Sequence, residues 1–174
     1  MHIIECNFAE HGTAIQAIFN EAIVHSTALY DYQPRSLETI ENWFSQKMLQ
    51  KFPVIGLITD DNQLAGFASY GTFRAWPAYQ YTVEHSIYIH QDFRGRGLGK
   101  CLLEALIHYA EKQDYHVLIA AIDSSNQNSI KLHQSFGFTH AGTLKQVGFK
   151  FERWLDVKLY QKILSTPAQA NEIR

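Results

Sequence analysis

The stretch Arg94-Gly95-Arg96-Gly97-Leu98-Gly99-Lys100 lies between a run that alternates like a strand, Thr82 to Ile89, and a run with helical spacing, Leu102 to Ala110. A strand, a glycine-rich basic turn and a helix start form an anion cradle. The first backbone N–H groups of a helix have no partner within it, and the helix dipole places partial positive charge there. Glycine permits positive φ and a close approach of backbone to ligand. Arg94, Arg96 and Lys100 add full charges. The expected ligand carries a phosphate or pyrophosphate.

Two familiar phosphate loops fail on single residues. A Walker loop ending at Gly99-Lys100 requires glycine at 94 and Ser or Thr at 101, where the chain has Arg94 and Cys101. A dinucleotide fingerprint starting at Gly97 requires glycine at 102, which is Leu102. What remains is Arg-x-x-Gly-x-Gly, on Arg94, Gly97 and Gly99. This pattern resembles the acetyl-CoA pyrophosphate loop of the GNAT N-acetyltransferase superfamily. Further motifs resemble its phosphinothricin and methionine sulfoximine acetyltransferase branch. They are Phe19-Asn20-Glu21-Ala22 with Ser26-Thr27-Ala28, Tyr81-Thr82-Val83-Glu84, Asn126 with Ser129-Ile130 and Leu132-His133, and Phe136-Gly137-Phe138. Near the end come Gly148-Phe149-Lys150-Phe151 and Arg153-Trp154-Leu155-Asp156-Val157. The resemblance runs from about Ile3 to Leu164 and implies a homodimer with acetyl-CoA as co-substrate.

A chain of 174 residues fits one domain, here residues 1–164 with a polar, frayed tail at 165–174. A net charge of −2, with the basic cluster confined to one loop, argues against nucleic-acid binding. Met1 to Asn7 lacks the features of a signal peptide, and no apolar run approaches the ~20 residues of a membrane span. A cytoplasmic protein is expected. Cys6 and Cys101 read as two buried free thiols, and the nine histidines show no metal-ligand spacing, so no metal is expected.

Periodicity outlines the fold. Ala14, Ile15, Ile18, Phe19, Ala22 and Ile23 recur at helical spacing; Ser36 is a candidate N-cap for a second helix carrying Ile40, Trp43, Phe44, Lys47 and Met48. Residues 54–59 and 64–72 read as strands joined by a turn, and 117–122 as a strand covered on both faces. A short helix from Asn126 to Phe136, stopped by Gly137, precedes two strands at about 138–148 and 154–163. The fold class is α/β with a mixed, mostly antiparallel sheet. The resemblance adds two central parallel strands that splay apart around the cofactor.

Acyl transfer to an amine requires a proton acceptor for the amine and stabilisation of charge on the thioester oxygen. Strand alternation puts Val83, His85, Ile87 and Ile89 on the core side, so Glu84 faces the cleft as the candidate base. A backbone N–H near Tyr88 or Ile89 is the expected oxyanion donor, and Ile87, Tyr88 and Ile89 are expected along the cofactor. His133 shares an inward helix stripe with Ser129, Leu132 and Phe136 and is the second catalytic candidate. It stands where many GNAT enzymes have Tyr, but matches the His of the phosphinothricin branch. The resemblance assigns Asn126 to the pantetheine arm, with Ser129 beside it, while a helix N-cap is the competing role of Asn126.

The resemblance places Tyr30, Arg74, Trp76 and Tyr79 at the acceptor. Arg74 can grip a carboxylate in bidentate fashion. Only Arg74 is charged in the 74–76 stretch, which favours a sulfoximine or sulfone over a phosphinate. The reading is N-acetylation of a small amino acid's α-amine by direct transfer in a ternary complex. The alternatives are a polyamine, aminoglycoside or protein N-terminus as acceptor, or a non-catalytic acyl-CoA sensor. Residues 73–81 contain no acid to hold a polycation. Lys150 and Arg153 are left either touching phosphate groups or shaping the last strands.

Overall fold

The computed structural model describes residues 1–172. Seven strands form one sheet in the order β1-β2-β3-β4-β5-β7-β6. They are β1 (His2–Glu5), β2 (Val54–Ile58), β3 (Leu64–Thr72), β4 (Thr82–Ile89), β5 (Val117–Asp123), β6 (Thr139–Lys150) and β7 (Arg153–Ile163). The helices are α1 (Phe8–His25), α2 (Leu37–Leu49), α3 (Leu98–Lys112) and α4 (Gln127–Ser135). Every neighbouring pair is antiparallel except β4 with β5.

Each helix begins where a local signal stops the backbone. Asn7, Ser36 and Asn126 cap α1, α2 and α4 by accepting the N–H of Glu10, Thr39 and Ser129. Gly137, at φ +81, follows the end of α4 in the left-handed conformation. Helix α3 instead starts at Gly97, φ +75, with no side-chain cap.

The central strands of the sheet are covered on both faces. Leu102, Leu103, Leu106 and Ala110 of α3 pack with Val83, Leu118, Ala120 and Ile122 on one face. On the other, Ile15, Ile18, Phe19 and Ala22 of α1 and Ile40 and Phe44 of α2 pack with Phe67 and Tyr88. Burying one large side chain in such a layer is worth roughly 1.5–3 kcal/mol. Strand alternation distributes β4 accordingly: Val83, Ile87 and Ile89 lie under α3, and Tyr88 lies under α1, its ring centroid 5.0 Å from that of Phe19.

Three expectations are corrected. Met48 does not join the apolar face of α2 but is 78% exposed, because it lies off the side of that helix on which Ile40, Trp43, Phe44 and Lys47 meet the sheet. Cys101 is exposed while Cys6 is buried, since Cys101 lies off the α3 stripe that packs on the sheet. The tail is tied down as far as Asn171. Thr166 Oγ1 donates to Tyr115 O at 2.6 Å, and Tyr81 OH and Gln80 Nε2 donate to Asn171 O at 3.1 and 2.9 Å. Residues 173–174 of the expected tail lie outside the described residues.

Candidate active site

The parallel register of β4 with β5 runs from Thr82↔Val117 to His85↔Ala120 and then stops. Both strands continue, to Ile89 and to Asp123, so they separate beyond that point. A cavity of about 630 Å³ opens there, lined by Ser86, Ile87, Tyr88 and Ile89 of β4 and by residues 120–123 of β5. Its remaining walls come from residues 27–30, Phe73 and Arg74, residues of α4, and Leu144, Val147, Val157 and Leu159 of the last two strands.

The edge of β4 facing this cleft lacks a partner strand. His90 N–H donates to Ala65 O of β3 at 2.9 Å. Successive strand amides point to opposite edges. The amides of Ile89 and Ile87 therefore face the cleft, and that of Tyr88 faces β3. Of the donors expected from the sequence, Ile89 is in position and Tyr88 is not; Ile87 joins it.

The glycine-rich turn closes one end. Gly95 and Gly97 have φ of +78 and +75, and a Cβ on either would meet nothing within 4 Å. These glycines serve backbone conformation and an open approach rather than packing. Gly99 lines the cavity, and Leu98 packs inward on the α3 core. Arg94 does not present a free charge. Its guanidinium pairs with Glu21 of α1 and its Nε donates to Ile89 O at 3.1 Å, because an acid stands within reach across the sheet. Arg94 thus fastens the turn to α1 and to the end of β4. Arg96 stacks over Phe93 at 5.1 Å and donates to Asp92 O at 2.9 Å, while Lys100 is exposed.

Glu84 lines the cavity one residue before the strands part. It retains contact with solvent at the mouth. Burial nevertheless raises its pKa above the ordinary carboxylate value, and the Arg74 guanidinium pulls it back in part. A carboxylate with a raised pKa is a stronger base.

His133 lies deeper and is buried. Its Nδ1 is 2.7 Å from Ser129 O, and its Nε2 is 2.9 Å from His85 Nε2. A carbonyl can only accept, so Nδ1 of neutral His133 carries the proton and Nε2 is the acceptor. His85 Nε2–H then donates to it. Burial pushes the pKa of His85 down to about 3, with His133 as the second cause, and burial lowers His133 as well. Periodicity had assigned His85 only to the core side of β4. Its one sequence signal was a polar ring on an otherwise apolar strand face.

Asn126 caps α4 and lines the cavity at once, and Ser129, whose N–H it accepts, lines the cavity beside it. Of the residues expected at the acceptor, Tyr30 and Arg74 line the cavity with Glu84, and Trp76 and Tyr79 do not. Pro77 holds Trp76 extended and starts a short 3₁₀ turn that carries both rings onto the rim. Trp76 is 68% exposed and Tyr79 packs on Phe73. Asp123, unforeseen from the sequence, ends β5 in the cavity wall. Its Oδ1 accepts Ser125 N–H at 2.8 Å, and its buried Oδ2 has no protein partner among the described residues. Among those residues, no group of three His, Cys, Asp or Glu is placed to hold a metal ion, and no helix is long and apolar enough to cross a membrane.

Residues 15–138 match the Acetyltransferase (GNAT) family. The chain belongs to the GNAT acetyltransferases. The GNAT match covers the glycine-rich turn, both separating strands and α4. A methionine sulfoximine/methionine sulfone acetyltransferase of Pseudomonas paraeruginosa is 42% identical over 147 residues, 84% of this chain and 86% of its own length. A phosphinothricin N-acetyltransferase of Alcaligenes faecalis is 36% identical, over 87% of this chain and 77% of its own. The yncA acetyltransferase structure from Salmonella typhimurium, solved with acetyl-CoA, superposes with a TM-score of 0.93 at 36% identity, covering 98% of each chain. The sheet with one parallel pair is the GNAT architecture expected from the sequence.

Proposed function

We propose that this GNAT enzyme transfers an acetyl group from acetyl-CoA to the α-amine of a small amino acid or analogue, with methionine sulfoximine and phosphinothricin as the acceptor type. The observation that carries this is the position of Glu84, a base of raised pKa facing a cavity that opens where β4 and β5 separate. The similar proteins named for those two acceptors support the substrate class.

The residues present fit acetyl-CoA. The uncapped start of α3 and the two open glycines suit its pyrophosphate, and the unpaired β4 edge with Asn126 suits the pantetheine. When bound, acetyl-CoA supplies an activated acetyl thioester. Glu84 accepts the amine's proton, directly or through a water, as the amine nitrogen bonds to the acetyl carbon and displaces the CoA thiolate. The amide of Ile89 holds the thioester oxygen, a type of contact worth about 3–4 kcal/mol, and that of Ile87, about 7 Å along the same strand edge, is left for the pantetheine. Arg74 pairs with the acceptor's carboxylate. His133, held neutral and lowered in pKa, contributes an uncharged polar wall. Transfer is direct: Cys6 is buried with its thiol pushed up to about 12, and Cys101 is not among the cavity residues.

The same reading treats residues 1–164 as one catalytic domain with a short tail, working in the cytoplasm as a homodimer. Exposed Phe149, Phe151 and Trp154, gathered on the β6–β7 hairpin, support self-association.

The test is CoA-thiol release near pH 8 with methionine sulfoximine, phosphinothricin, spermidine and a peptide amine, on wild type and Glu84→Gln. Turnover on the sulfoximine, reduced about 100-fold or more in the variant, is expected. Turnover on the polyamine or peptide alone would replace the acceptor, and binding of acetyl-CoA without turnover on any amine would make the chain a sensor.

A further inference from the structure

The β6–β7 hairpin reaches the cavity without lining it at its tip. Lys150, the last residue of β6, is 4% exposed. Its Nζ donates to three backbone carbonyls: Ile23 O at 2.6 Å, Ser26 O at 2.9 Å and Leu29 O at 2.6 Å. An ammonium has three N–H donors, and these acceptors use all three. They belong to the last turn of α1 and to the irregular segment after it. Unpaired carbonyls and the negative end of the dipole are found there. Lys150 is therefore neither a phosphate ligand nor a surface charge. It fastens residues 23–29 to the hairpin.

Two further contacts tie the same pieces together. A Cβ on Gly148 would lie 2.5 Å from Tyr30 Cε2 and 2.8 Å from Cδ2, so the Tyr30 ring rests on bare backbone. Tyr32 OH donates to Phe149 O at 2.7 Å. The turn beyond Lys150 is a two-residue loop, Phe151 and Glu152, at φ of +51 and +57. Such loops favour Asn and Gly, and side chains with a Cβ are crowded in them. Strain of this kind persists where the surroundings fix the backbone, and here the Lys150 cage is adjacent. The segment so held supplies Thr27, Ala28, Leu29 and Tyr30 to the wall of the cavity that Arg74 and Glu84 also line.

We propose that Gly148 and Lys150 are positioning residues for the acceptor pocket: the hairpin seats the 27–30 segment and, through the flat face of Gly148, sets the placement of Tyr30 against the acceptor amino acid. This rests on the acetyltransferase reading above. It gives the Gly148-Phe149-Lys150-Phe151 motif a role in acceptor affinity, separate from acetyl-CoA binding and from the chemical step.

A double-mutant cycle tests it. Gly148→Ala pushes on the Tyr30 ring, which is 38% exposed and free to move outward. The full chain is assayed by CoA-thiol release with methionine sulfoximine, and acetyl-CoA Kd is measured by calorimetry. The variants are Gly148→Ala, Tyr30→Ala, the double variant and Lys150→Met. Gly148→Ala is expected to raise the acceptor KM about threefold to tenfold, the usual scale of coupling between touching residues. Acetyl-CoA Kd should stay unchanged, and the increase should vanish in the Tyr30→Ala background. Lys150→Met should raise the same KM. If it does not fold, the Gly148 cycle decides alone. An unchanged KM in Gly148→Ala, or an equal increase with and without Tyr30, overturns the proposal and leaves the enzymatic reading intact. A wild-type protein that binds acetyl-CoA but acetylates no amine overturns both.

Discussion

His85 Nε2 lies 2.9 Å from His133 Nε2, and the two rings form a buried, uncharged pair beneath the point where β4 and β5 part. With the His133 proton on Nδ1 facing Ser129 O, the bond between the rings has a direction, from His85 to His133. Both folded-state pKa values lie below the ordinary 6.5, His85 at about 3. Above pH ~6.5 neither the folded nor the unfolded chain protonates these rings, and the pair has no pH effect. Below it the unfolded chain takes up protons that the folded chain refuses, so stability falls with pH, down toward about 3 for His85. Between pH 7.5 and 5.5 the loss from His85 alone should be about 1 kcal/mol. Urea unfolding at the two pH values measures it. His85→Gln keeps a donor toward His133 but cannot titrate, and should show a smaller loss than wild type by about that amount. Equal losses in both proteins would mean that His85 is protonated in the fold.

Glu84 and Arg74 predict a shift in the pH profile of activity. Burial raises the Glu84 pKa and Arg74 lowers it. The base must be ionised, so kcat/KM should rise with pH through the Glu84 pKa and then level off. Removing the cation in Arg74→Met deletes the opposing influence, and the acidic limb should move to higher pH. Acceptor KM should rise in the same variant as the carboxylate partner is lost. A higher KM with an unmoved limb would place Arg74 on the acceptor but not beside the base.

Much of this site could be read from the chain because its parts are local. The strand ending at Ile89, the turn at Gly95 and Gly97 and the start of α3 are contiguous, and strand alternation alone aims Glu84 away from the α3 core. Tertiary partners could not be read in this way. Nothing near Arg94 reveals that Glu21, 73 residues earlier, will take its charge. His85 fits the core pattern of β4, and only the arrival of His133 from α4, 48 residues later, makes it polar machinery. The aromatic rings of Trp76 and Tyr79 suit a pocket wall in composition, but the turn at Pro77 moves them to the rim. From the sequence Lys150 either touches phosphate groups or shapes the last strands, until the fold surrounds it with three carbonyls 121 to 127 residues away.

Gly97 is where backbone conformation and the proposed pyrophosphate site coincide. Its φ of +75 is one that residues with a Cβ adopt at a cost of about 1–2 kcal/mol. Since an added Cβ would touch nothing, Gly97→Ala should lower stability by only about that amount, without a packing penalty. Acetyl-CoA affinity should fall further than stability, because the new methyl stands in the approach to the uncapped start of α3. Thermal unfolding and acetyl-CoA titration of the same variant separate the two effects. Affinity unchanged in a destabilised Gly97→Ala would move the pyrophosphate away from this turn.

The two cysteines provide a direct check on how the acetyl group moves. Cys6 is 7% exposed, and burial, then the nearby Glu5 charge, push its thiol up to about 12, so at neutral pH it carries almost no thiolate. Cys101 is exposed on α3. An aromatic disulfide reagent should therefore label one thiol per native chain and the second only in denaturant. Labelling Cys101 adds bulk beside the glycine-rich turn proposed to hold the pyrophosphate, so acetyl-CoA Kd should rise. Cys101→Ser, which adds none, should retain wild-type kcat. A covalent acetyl-cysteine route would abolish turnover in Cys101→Ser or Cys6→Ser. Retained kcat in both leaves direct attack by the acceptor amine, with Glu84 taking its proton, as the path the cavity supports.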